Sequence, residues 1–228
     1  LLVERSTVNY LFTTGYADGI QGSWEGDQFR VKAMFSDGAN TGNTSWSNYD
    51  TEFALTGRVE WMASGNWKQF EDFTSPQGSE TGILVGAAVH YQQGEYGNAI
   101  DESHSTTLTA DVSAEFNGFN LFGAIIWSDT EDADNNPWGL VFQGGWYFNE
   151  SWEIFGRYEW TDFDTTFSED VSLITVGVNK YFSGHNAKWT TDVGFSLESL
   201  ATSSDLTGAR SDFGDEDGQL IIRTQWQI

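Results

Sequence analysis

The sequence predicts an all-β fold, an antiparallel transmembrane β-barrel, and three observations carry that expectation. Apolar and polar residues alternate with a period of two through most of the chain. The alternating segments run to about ten residues, the length a tilted strand needs to cross a bilayer. Their connections alternate between short turns and long acidic links, the asymmetry of a barrel with turns below a membrane and loops above it.

Taken in order, residues 1–15 read either as the tail of an inward-folded loop or as an additional strand, and residues 16–228 as the barrel strands with their loops. The first clear strand spans residues 17–24. Over residues 28–36, Phe29, Val31, Ala33 and Phe35 oppose a face carrying Arg30 and Lys32. Residues 52–62 set Phe53, Leu55, Val59 and Trp61 against Glu52, Arg58 and Glu60. Residues 83–92 follow. Residues 107–116 then oppose Leu108, Val112 and Phe116 to Asp111 and Glu115, and residues 151–161 oppose Trp152, Ile154 and Tyr158 to Glu153, Arg157 and Glu159. Segments 119–128, 138–148, 172–182, 188–198 and 219–228 complete about eleven strands, twelve if residues 7–13 form another. Short turns are read around Gly26, Gly118, Asn149 and Gly184, and one at Gly65 leads into a longer segment. Long links rich in Gly, Ser, Asn and acids lie at 37–49, 94–103, 129–136, 162–170 and 201–218.

Composition bounds the function. A chain of 228 residues is compatible with one large all-β domain. The absence of cysteine excludes a disulfide scaffold, thiol redox chemistry and cysteine-ligated zinc. With 34 acidic and 10 basic residues and a net charge of −24, the chain lacks the basic clusters that bind a phosphate backbone. Its 16% aromatic and 39% hydrophobic content is too rich for a disordered chain. No apolar run approaches the ~18 residues of a membrane helix.

Aromatic residues collect near the short-turn ends. Trp24, Trp61, Phe116, Trp146, Phe148, Trp152, Phe182, Trp189 and Trp226 sit there, mainly on the apolar face, as rings do in an interfacial girdle at lipid headgroup level. Strand parity assigns to the opposite, inward face the cations Arg30, Lys32, Arg58, Arg157, Lys188 and Arg223 and the acids Glu60, Asp111, Glu115, Glu153, Glu159 and Asp192, with His90 among them. Arg and Lys in a narrow channel attract anions, whereas interleaved carboxylates brace the wall as salt bridges.

Two stretches carry a family resemblance. Val176-Gly-Val-Asn-Lys-Tyr-Phe-Ser-Gly-His-Asn-Ala-Lys-Trp189 and the closing Gly218-Gln-Leu-Ile-Ile-Arg-Thr-Gln-Trp-Gln-Ile228 resemble the end of outer-membrane porins of the phosphate-selective porin O and P family. Phe35-Ser-Asp-Gly-Ala-Asn-Thr-Gly-Asn-Thr44 and Trp67-Lys-Gln-Phe-Glu-Asp-Phe73 are similar to segments of the same group. The resemblance implies a sixteen-stranded, homotrimeric barrel in the bacterial outer membrane, of which this chain would be the carboxy-terminal portion. It also implies a water-filled channel for passive transport of ions and small solutes, with outer-membrane lipid as a partner. General diffusion is favoured over strict phosphate selectivity, because selectivity needs a dominant sign at the constriction.

Other readings stand beside this one. A structural outer-membrane or surface-layer barrel without conductance fits the same pattern. So does a soluble, secreted β-sandwich that binds carbohydrate through exposed Trp side chains. No cofactor or catalytic group is implied. His90, His104 and His185 fall on separate segments, and Glu153 and Glu159 lie about 20 Å apart by strand rise, too far for a glycosidase pair. Acidic runs at Glu131, Asp132 and Asp134, at Asp162, Asp164, Glu169 and Asp170, and at Asp212, Asp215, Glu216 and Asp217 offer weak Ca²⁺ ligation by their oxygen ligands.

Overall fold

The computed structural model describes residues 2–3, 5–38, 51–94, 103–131, 136–164, 170–198 and 218–228. Eleven strands form one antiparallel sheet: β1 Gly19–Glu25, β2 Phe29–Ser36, β3 Thr51–Ser64, β4 Gly82–Gly94, β5 Ser103–Phe116, β6 Phe119–Thr130, β7 Trp138–Asn149, β8 Trp152–Asp162, β9 Val171–Tyr181, β10 Lys188–Ser196 and β11 Leu220–Gln227. Each strand pairs with its neighbour in sequence, so the sheet is a simple meander. The all-β architecture read from the alternation is therefore observed.

Register follows from the alternation, because a one-residue slip would exchange the two faces of a strand. Val31, Val59, Ala87, Ala110, Ile125, Leu140 and Trp160 are successive cross-strand partners from β2 to β8, forming one apolar row. On the other face Arg30 lies opposite Glu60, Glu153 opposite Asn179, Asn179 opposite Thr190, and Asp192 opposite Arg223. The polar face is the buried one: Glu153, Glu159, Asn179 and Asp192 are inaccessible to solvent, whereas Val59, Ile125 and Leu140 are exposed. A small apolar cluster of Val171, Leu173 and Ile221, with Phe163 against it, lies at the β9–β11 end.

Two segments pack on the polar face. The first is residues 2–3 and 5–14, containing the helix α1 (Thr7–Phe12), whose N-cap Ser6 side chain accepts from the Asn9 amide. Val8 and Phe12 rest against Gly139, where any Cβ would come within 2.6 Å of a Val8 methyl. The second is the β3–β4 connection, with a 3₁₀ turn at Trp67–Glu71 capped by Asn66.

The sheet is open, which corrects the expected transmembrane barrel. Among the described residues β1 pairs only with β2, and β11 only with β10. Both outer strands thus keep a row of unpaired edge groups, which a closed barrel does not have. The described residues form neither a twelve-stranded barrel nor a sixteen-stranded porin wall. An open sheet encloses no pore, so the porin channel, its ion transport and its trimeric assembly lose the closed wall on which they rested. The outer-membrane location and the lipid partner were drawn from that same wall and are corrected with it. Among the described residues no helix is long and apolar enough to cross a membrane.

Candidate functional site

The first candidate is built from ring side chains on the exposed face at the short-turn end of β6 to β11. Period-two alternation sends these residues to one face, and the turns bring their strand ends level. Trp146 lies 6.2 Å from Phe148, Phe148 6.4 Å from Trp152, and Trp152 6.3 Å from Trp189. Trp189 in turn lies 6.4 Å from Trp226, and Trp226 5.7 Å from Phe182. The Phe148–Trp152 and Phe182–Trp226 pairs are nearly parallel, at 24° and 18°. Trp226 is 66% exposed and Phe182 58%.

Polar groups flank this row. Lys180 stands 5.0 Å from the Trp152 ring centroid and donates to the Ser151 hydroxyl at 2.7 Å. Trp189 Nε1 donates to Thr224 Oγ1 at 2.8 Å, and the Thr191 and Thr224 hydroxyls are 2.9 Å apart. Trp24 and Trp61 lie exposed on the same face near the β1–β3 turns. With the lipid partner corrected, the ring row is a surface that presents aromatic faces beside hydroxyl and ammonium donors.

The polar face holds the residues that parity assigned to a lumen, mostly as ion pairs. Arg30 contacts Glu25 at 2.6 Å and Glu60 at 3.6 Å, and Arg58 contacts Glu60 at 3.0 Å. Arg58 also binds Asp111 through both terminal nitrogens, at 2.7 and 2.9 Å, and that hydrogen bonding raises its pKa against the effect of burial. Gly86 makes the pair fit, since a Cβ there would run into the Arg58 guanidinium. Arg157 donates to Glu159 at 2.7 Å, and Arg223 to Asp192 at 2.7 Å. Lys32 is half-buried on β2, opposite Arg58.

Residues 2–14 take up further capacity of these acids. Glu159 Oε1 accepts from the Thr7 and Val8 amides, Asp192 accepts from the Val3 amide at 3.0 Å, and Arg157 donates to the Arg5 carbonyl at 3.2 Å. Burial drives the Glu159 pKa up, and Arg157 and the two amides oppose it.

At the short-turn end of the polar face a cavity of about 650 Å³ opens between the β3–β4 connection and β7–β10. Its roof is tied down by Trp67 Nε1 to the Gly26 carbonyl at 2.9 Å and by Gln77 Nε2 to the Tyr147 carbonyl at 3.1 Å. Tyr147 and Tyr181 stack at 5.3 Å in its wall, and Asp72, Thr74, Glu115 and His185 line it. Behind Tyr181 sits Glu153, accepting from Tyr181 Oη at 2.7 Å, Asn179 Nδ2 at 2.9 Å and Asn120 Nδ2 at 3.0 Å. Burial pushes the Glu115 carboxyl up to about 7, and Gln69 opposes the shift by hydrogen bonding. Burial also raises the Tyr181 hydroxyl, reinforced by Glu153.

The histidines are apart: His90 joins Thr56 and Gln92, His104 pairs with Glu131 at 2.8 Å, and His185 faces Thr74 and Asp72. For the Ca²⁺ expectation, Asp132, Asp134, Glu169 and the acids at 212–217 lie outside the described residues. Among the described residues no three His, Cys, Asp or Glu side chains group as metal ligands. The sequence did not disclose the seat of residues 2–14 or the pocket beneath the β3–β4 connection. The only signal for the latter was the polar Asn66–Glu80 insertion where other turns are short.

No family model, no curated protein and no solved structure matches the chain. The expected resemblance to phosphate-selective porins is therefore corrected as well: the quoted stretches form β9–β10 and β11 of an open sheet, and Phe35–Thr44 falls mostly outside the described residues.

Proposed function

We propose that this chain is a non-catalytic carbohydrate-binding protein that engages its ligand on the aromatic row of β7 to β11. One observation carries the reading: a continuous file of rings, exposed Phe148, half-buried Trp152 and Trp189, and exposed Trp226 and Phe182, bordered by Lys180, Ser151, Thr191 and Thr224. A sugar ring has an apolar C–H face and a hydroxyl rim. Aromatic faces satisfy the first, and hydroxyl and ammonium groups the second. Rigid aromatic side chains also lose little conformational freedom on binding, which favours affinity from a shallow surface.

The test is retention of the protein on a panel of insoluble polysaccharides and quenching of its Trp fluorescence by soluble oligosaccharides. Retention by at least one polysaccharide is expected. The Trp189→Ala, Trp226→Ala double variant should bind about tenfold more weakly or worse, the usual cost of truncating aromatic anchors. Binding unchanged in that variant, or absent from the whole panel, would overturn the reading.

A further inference from the structure

We propose that this chain pairs with a second copy of itself through the free edge of β11, the two β11 strands running antiparallel about a two-fold axis at Thr224. Among the described residues β11 has a neighbour on one side only, β10. One bond fixes which way its main chain points. The Ser196 amide donates to the Gln219 carbonyl, so Gln219 and each second residue after it, Ile221, Arg223, Gln225 and Gln227, turn their main-chain groups toward β10. Leu220, Ile222, Thr224 and Trp226 therefore turn theirs to the free side, and their side chains lie on the exposed face.

The faces decide which strand can join there. Residues directly opposite in an antiparallel pair share a face, and each bonded pair needs outward groups from both strands. On β1 the Gly26 amide donates to the Phe29 carbonyl and the Asp37 amide to the Asp18 carbonyl, so the outward groups belong to Gly19, Gln21, Ser23 and Glu25. Those residues share the polar face with Lys32 and Arg30, the partners of Ser23 and Glu25. An antiparallel β11–β1 junction would set the apolar face of one copy beside the polar face of the next. Like edges keep the faces continuous. Charge then separates the two like-edge pairings: β1 carries Glu25 between Asp18 and Asp27, whereas residues 219–228 carry no acid, in a chain that has 34. Their one cation, Arg223, is matched by Asp192 at 2.7 Å.

The axis at Thr224 makes the strand self-complementary, as a two-fold contact requires. Ile222 of one copy meets Trp226 of the other, and Leu220 meets Ile228, all four exposed in the single chain. A β-branched side chain opposite an aromatic one is a stabilising cross-strand pair. Arg223 falls opposite Gln225, whereas an axis one residue earlier would oppose the two guanidinium groups. β11 also lacks the Lys, Pro or bulge by which edge strands avoid such pairing.

The experiment is sedimentation equilibrium of the full chain at physiological salt, where repulsion between the acidic copies is screened, together with amide hydrogen exchange at low and high protein concentration. A reversible dimer of about 51 kDa, twice the 25.4 kDa of the chain, is expected. The amides of Ile222, Thr224 and Trp226 should gain protection as concentration rises, and those of Gln21 and Ser23 should not. Ile222→Pro removes one outward N–H and no bond to β10, and should weaken the dimer about tenfold or more. Ser23→Pro makes the same change on β1 and should leave the dimer intact. Circular dichroism verifies the fold of both variants, and exchange in the parent chain decides the matter if Ile222→Pro does not fold. A monomer at every concentration, assemblies larger than a dimer, dissociation by Ser23→Pro but not by Ile222→Pro, or concentration-independent exchange at Ile222 and Thr224 overturns the inference. The pairing is made by the main chain of β11, so dimerisation and polysaccharide retention stand or fall separately.

Discussion

Replacing Glu153 with Ala should be among the most damaging single substitutions in the sheet. The side chain is completely buried and accepts from Tyr181, Asn179 and Asn120 at 2.7, 2.9 and 3.0 Å. Alanine removes the acceptor these three donors share, at roughly 1–3 kcal/mol for each donor left unsatisfied, although Asn179 Nδ2 keeps its 3.4 Å contact with Tyr181 Oη. Two effects offset that sum: a buried carboxylate no longer has to be desolvated, and water enters the vacated space. The net expected loss is about 3 kcal/mol. Glu153→Gln should cost less, about 1–2 kcal/mol, because the amide keeps one acceptor and brings one donor against another donor. The assay is urea unfolding followed by Trp fluorescence, with the midpoint shift converted through a common slope. A double variant with Asn179→Ala should be less destabilised than the sum of the single losses, since the two residues share a hydrogen bond. A loss below about 1 kcal/mol in Glu153→Ala, or strict additivity in the double variant, would refute the claim that this carboxylate organises the β6–β9 wall.

Other outcomes follow from the same packing. Gly86→Ala drives a methyl into the Arg58 guanidinium and within 2.8 Å of Asp111, and should destabilise by about 1–3 kcal/mol in the same unfolding assay. Glu115 ties stability to pH: its folded-state pKa of about 7 lies above the ordinary 4.5, so the folded chain holds a proton that the unfolded chain releases. Stability should therefore fall as pH rises from about 4.5 to about 7, and Glu115→Gln should flatten that segment of the profile.

The alternation made the strands legible because it is a local property. Val31, Val59 and Ile125 must share a face whatever the sheet does at its margins, and the polar parity of Arg58, Asp111, Glu153 and Asp192 is set the same way. Closure is not local. It depends on whether the backbone of β1 meets that of β11, and main-chain groups carry no sequence signature. Alternation also cannot distinguish rings that face a bilayer from rings that face any other partner, which is why Trp146, Trp189 and Trp226 suggested a lipid girdle. α1 was illegible for a different reason. Six residues, Thr7–Phe12, give less than two helical turns, and the helix is held by Ser6, Glu159 and the notch at Gly139 rather than by a periodic apolar face.

The seat of residues 2–14 has a consequence for how the chain assembles. Every strand pairs with the next one in sequence, so the sheet can grow hairpin by hairpin, each strand meeting the one just before it. The partners of the amino-terminal segment are Gly139, Arg157, Glu159 and Asp192, contributed by β7, β8 and β10. These residues precede every strand of the sheet in sequence and must therefore wait for the tenth strand before they can dock fully. Until then the carboxylates of Glu159 and Asp192 stay hydrated, and their burial becomes a late event that seals the inner face after the strands are in register.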